Sequence, residues 1–89
     1  MNAEPLVQRI LDDEGLIGDL EGSAAEALVA WLVRGAEQIA HRSTDAAAAR
    51  KAVEDLCRRG REMAAAAAAA ADPAAELQRL IEQPNSHRH

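Results

Sequence analysis

Between Asp45 and Asp72, the residues Ala49, Val53, Leu56, Gly60, Met63, Ala67 and Ala70 follow one another at alternating steps of four and three. That spacing lays an apolar seam along one side of a helix, and this is the longest such stretch in the chain. Its other residues are mainly Ala, Arg, Lys and Glu, which lose little on entering a helix. Arg50/Glu54, Lys51/Asp55, Glu54/Arg58, Asp55/Arg59 and Arg58/Glu62 stand four apart and predict charge pairs on the exposed sides. Gly60 costs about 1 kcal/mol relative to Ala in a helix interior. Lying on the seam, it predicts close approach by a neighbouring backbone.

A second amphipathic run covers 23–41, with Leu28, Leu32, Ala36 and Ile39 central and Ala25, Val29 and Val33 widening the face. The apolar side is then close to half the circumference, more than one neighbouring helix covers. Ser23 with Glu26 three residues on reads as a capping box, worth roughly 1 kcal/mol. Trp31 falls at the edge of the face, beside Arg34 and Gln38. Shorter helices are predicted over 5–13, from Pro5 with Leu6, Val7, Ile10 and Leu11, and over 73–82, where Asp72-Pro73 opens a stripe of Ala74, Leu77, Leu80 and Ile81. Gly15 is read as the stop of the first, and Pro84 as the stop of the last. Between Gly15 and Gly22, Leu16, Ile17 and Leu20 predict a turn pinned to the core.

These elements predict an all-α fold, a bundle of three to four helices around an antiparallel hairpin of 23–41 and 45–72. The connection at His41 to Thr44 is short enough to turn the chain straight back, with Ser43 or Thr44 capping the return helix and Asp45 in its first turn. If the turn centres near residue 43, positions summing to about 86 face each other, so Met63 meets Ser23 and Ala64 to Ala71 overhang. Residues 1–83 form one domain in this reading, and 84–89 a disordered polar tail.

Composition narrows what such a bundle can do. Twenty-two of the 89 residues are Ala, which buries little area, so bulky core side chains are few and association would help a chain of this size. One Trp with no Phe or Tyr leaves no aromatic platform for stacked bases. The net charge of −5 already arises in the first 22 residues, from Glu4, Asp12, Asp13, Glu14, Asp19 and Glu21 against Arg9, leaving a balanced remainder. That distribution suits solvation or a basic partner better than a phosphate backbone. Cys57 is single, which rules out an internal disulfide, and no basic-then-apolar leader opens the chain, so a cytoplasmic protein is expected. Ala64 to Ala71 is too short and too weakly hydrophobic to span a bilayer, and membrane insertion is not expected.

No constellation for catalysis, phosphate binding or metal ligation emerges. The acidic stretch 12–21 lacks the ligand order of a calcium loop. Its small, acidic, helical setting resembles that of acyl carrier proteins, but their Asp-Ser-Leu is missing: Ser23 stands between Gly22 and Ala24, so no attachment site forms. His41, Ser43 and Asp45 cluster at a turn where each has a capping role, and His87 and His89 lack a third ligand. No cofactor, metal or small-molecule substrate is therefore expected, and no enzymatic activity.

What remains is an interaction or assembly module, pairing with itself as a homodimer or with another helical protein. Its candidate interface residues are Trp31, Val29, Val33, Gly60, Met63 and Ala67. The alternative is a small nucleic-acid-binding regulator that uses Arg50, Lys51, Arg58, Arg59 and Arg61, although Glu54, Asp55 and Glu62 share the same surface.

Overall fold

A computed structural model describes residues 2–13, 15–18 and 20–82. It contains four helices: α1 (Glu4–Leu11), α2 (Gly22–Arg42), α3 (Ala46–Ala68) and α4 (Pro73–Glu82). The fold is the expected all-α bundle around an antiparallel α2–α3 hairpin. Both long helices touch all the other elements, whereas α1 and α4 do not touch each other. The core joins Leu28 and Leu32 of α2, Val53 and Cys57 of α3, Ile10 of α1 and Leu77 of α4, all no more than 2% exposed. Leu16 and Leu20 of the expected pinned turn complete it. Fully burying each large aliphatic side chain contributes about 1.5–3 kcal/mol.

The helix ends differ from expectation in four places. Ser23 is not a cap, because α2 already begins at Gly22 with Glu21 preceding it, and no side chain caps that end. Gly22 turns there with φ +60, which a residue with a Cβ adopts only under strain. Asp45 itself, rather than Ser43 or Thr44, caps α3, its Oδ1 accepting from the Ala47 N–H at 3.1 Å. Asp72 does the same for α4, accepting from the Ala75 N–H at 3.2 Å, as the Asp-Pro pair implied. Helix α1 ends at Leu11, ahead of the acidic residues that oppose its negative end, and Gly15 is not its stop. Instead, Asp13 Oδ1 accepts from the Gly15 N–H at 3.2 Å and turns the chain locally.

The fourth difference is the largest. Helix α3 ends at Ala68, four residues before Asp72, and Ala64 and Ala67 are 3% and 0% exposed within the chain. The cause is the hairpin register. A Cβ on Gly35 would come within 2.9 Å of Leu56, and one on Gly60 within 2.9 Å of Leu32. Each helix thus seats a leucine over a glycine of the other, in pairs whose numbers sum to 91 and 92 rather than 86. In that register Ala68 draws level with the start of α2, and Met63 lies across from Leu28 and Val29 rather than Ser23. No overhang remains. The seam itself is rotated, with Ala49, Val53, Cys57, Gly60, Ala64 and Ala67 buried while Leu56 and Met63 flank it.

The charges of α3 also pair differently. Among the described residues its one internal ion pair is Arg58–Asp55 at 3.1 Å, three apart rather than four. Arg61 reaches out of the helix to Asp13, at 2.6 Å, where Arg9 also converges at 3.6 Å. The molecule measures 41 × 34 × 15 Å. Because a helix with its side chains is about 10 Å across, a slab that thin leaves each helix a side open to solvent. Helix α2, whose apolar face was too wide for one neighbour, is therefore packed by three others and still not fully covered.

Candidate functional site

The six candidate interface residues do not form one surface. Gly60 and Ala67 are buried against the chain's own helices and are unavailable to a second molecule. Met63 is half-buried against the core. Val29 and Val33 lie on one side of α2 and Trp31 on another: two residues along a helix is about 200° around it. Two surfaces result, built from opposite sides of the same helix.

The first is a shallow apolar strip. Ala25, Val29 and Val33 succeed one another at steps of four, and Glu26, Ala30 and Arg34 run beside them at the same step, with Ile17 from the preceding turn at the edge. The three apolar helix residues and Ile17 are half-covered, and Ala30 is exposed. Glu26 and Arg34 cap the two ends of the strip with opposite charges. They are eight residues apart, about 12 Å along the axis, too far to pair with each other.

The second is a groove of about 550 Å³ between α2 and α3, closed at one side by Ile81 of α4. Gly35, Ile39, Ala52 and Leu56 line it with apolar surface, and Arg34, Arg42 and Arg59 stand around it with Asp55 as the one carboxylate. Asp55 is engaged by Arg58. None of the three groove arginines has a carboxylate within ion-pair distance among the described residues. Arg59 lies over the Trp31 ring, 5.5 Å from its centroid, an arrangement that favours the cation over the electron-rich face. Arg42 leans back on Gln38 Oε1 at 3.4 Å. A chain of net charge −5 thus carries a locally cationic, apolar-floored groove.

The five cations of the nucleic-acid alternative are dispersed. Arg58 and Arg61 are held by Asp55 and Asp13, and Arg50 borders a different groove, with Arg9, Glu54 and Leu6. Lys51 is exposed, and only Arg59 belongs to the Trp31 groove. Sequence reading overlooked Arg42, Gly35 and Ile81. Arg34, Gln38 and Arg42 stand four apart along α2, a signal that was present but reads as an ordinary solvated face until the register places α3 beside it.

Cys57 is in the core, where burial pushes its thiol above the ordinary value of 9.0, Asp13 and Glu54 adding to the rise and Arg9 and Arg61 opposing it. Among the described residues no three His, Cys, Asp or Glu side chains gather as a metal site, and no helix is long and apolar enough to cross a membrane. His87, His89, Glu14, Asp19, Pro84 and the 84–89 tail lie outside the described residues. No family model, curated protein or solved structure matches the chain.

Proposed function

We propose that the chain is a non-enzymatic assembly module of the cytoplasm that pairs with a second copy of itself through the outer side of α2. The observation that carries this reading is the self-complementarity of the Glu26–Arg34 strip. When two α2 helices cross antiparallel about Ala30, Glu26 of one copy faces Arg34 of the other, and the twofold repeats the pairing. Ala30, with only a methyl group, permits close approach at the crossing, while Val29 and Val33 of each copy cover the strip of the other. Such a pairing also answers the shortage of bulky core residues, since it buries apolar surface that 89 residues alone leave half-covered. The single Cys57, without a disulfide partner, supports the assignment to a reducing compartment. The nucleic-acid alternative draws less support, because Arg58 and Arg61 already have carboxylate partners.

Light scattering over a wide concentration range tests the pairing, with a dimer mass expected and a monomer mass throughout refuting it. Charge reversal tests the geometry. Glu26→Arg or Arg34→Glu alone should weaken the dimer about tenfold or more, since each replaces two attractions by two repulsions, and the double reversal should restore it. A double variant as weak as the singles would exclude the antiparallel crossing.

A further inference from the structure

The groove on the other side of α2 shares only Arg34 with that pairing. Its contents are a row of apolar side chains under Arg42 and Arg59, neither of which has a carboxylate partner among the described residues, in a chain of net charge −5. We propose that it holds an acidic amphipathic helix of another protein, whose apolar side chains settle on Gly35, Ile39 and Leu56 while its carboxylates meet Arg42 and Arg59. This rests on the same view of the chain as an interaction module but on a different face, so either surface can fail without the other.

The dimensions fit one occupant of that kind. From Trp31 to Arg42 the groove follows α2 through eleven residue steps, about 16 Å or three turns, the length over which a docked helix presents anchors at i, i+3 or i+4, and i+7. Gly35, with no Cβ, lets Leu56 seat directly on the α2 backbone, so the two together form an apolar floor. Guanidinium groups bind carboxylates through paired hydrogen bonds and tolerate partial burial better than ammonium groups do. The floor selects against a nucleic acid, whose sugars would have to desolvate against aliphatic side chains, with one indole available for stacking.

Trp31 makes the test direct, since it is the chain's only aromatic residue and lies beneath Arg59 at one end of the groove. A carboxylate that draws Arg59 off the ring, or an apolar side chain that covers it, changes the indole emission. The probe is a synthetic helical peptide of about twelve residues with leucines at i, i+3, i+4 and i+7 and glutamates elsewhere. Its comparison partners are the same peptide with lysines for glutamates and a single-stranded oligonucleotide of similar length. Saturable change of Trp31 emission with the glutamate peptide alone is expected, weaker by about tenfold or more between 0.05 and 0.5 M salt. Arg42→Ala should weaken that binding by about tenfold with helix content and solution mass unchanged, because Arg42 is exposed and outside the Glu26–Arg34 strip. Because Arg42→Ala leaves the indole's surroundings intact, its titration separates lost binding from a lost signal. No response to the glutamate peptide, an equal response to the lysine peptide, a response to the oligonucleotide in its place, or unchanged affinity in Arg42→Ala would each overturn the proposal.

Discussion

Gly35 and Gly60 present nearly the same geometry to an added methyl group, and replacing each by alanine should have opposite effects on stability. In either helix interior the substitution gains about 1 kcal/mol of helix propensity. A Cβ on Gly60 would come within 2.9 Å of Leu32 Cδ2 and 3.4 Å of Cδ1, against the ordinary carbon–carbon separation of about 3.5–4.0 Å. Leu32 is 0% exposed and sits in the centre of the core, so it has nowhere to retreat without displacing other side chains. Overpacking of that kind costs about 1–3 kcal/mol, which leaves Gly60→Ala destabilised by up to about 2 kcal/mol. A Cβ on Gly35 would come within 2.9 and 3.0 Å of the two methyl groups of Leu56. Leu56, however, is half-buried on the wall of a groove of about 550 Å³ and can rotate into it. Gly35→Ala should therefore keep most of the propensity gain, up to about 1 kcal/mol. In urea, where a chain of this size has a slope of about 1 kcal/mol per molar, the midpoints should move apart by about 1–3 M at equal protein concentration. Shifts of the same sign in both variants would refute the claim that the freedom of the facing leucine decides the outcome. Gly35→Ala carries a second consequence, since the displaced Leu56 would fill the groove and weaken the glutamate peptide while the fold became more stable.

Ala67→Leu should destabilise by about 1–3 kcal/mol in the same denaturation assay, because Ala67 is fully covered between helices; a loss near zero would mean that the alanine tract is not tightly packed. The Cys57 thiol should react with a disulfide reagent at least about a hundredfold more slowly in the native protein than in urea, as it is both buried and held protonated. Because burial raises its folded-state value above the ordinary 9.0, the stability linked to the neutral thiol is complete below pH 9.0 and declines as pH rises toward the folded value. A Cys57→Ser variant should show a smaller loss of stability over that alkaline range, and an identical slope would contradict the linkage.

The helices themselves were decided locally. Spacing of apolar residues marked all four, Asp-Pro marked the α4 start, and Leu16 and Leu20 announced that the glycine-rich turn would be pinned down, because these signals depend on residues within a few positions of one another. The edge position of Trp31 beside Arg34 and Gln38 was legible on the same grounds. The register of the hairpin was not. It depends on how Leu32 and Leu56 seat over Gly60 and Gly35, a reciprocal fit between residues more than twenty positions apart, and the sequence spacing alone favoured a different offset. From that offset followed the misplaced overhang and with it the assignment of Ala67 to an external surface; spacing within α3 likewise held no sign that Arg61 crosses to Asp13. The register likewise brings Arg59 onto Trp31 and places Arg42 on the rim of the same groove, which no local pattern could do. Sequence alone thus determined which residues are helical and which side of each helix is apolar, since backbone propensity and periodicity are properties of one segment. Which apolar side is spent in the core and which is left open was decided by tertiary packing, since that depends on the shapes of two surfaces meeting.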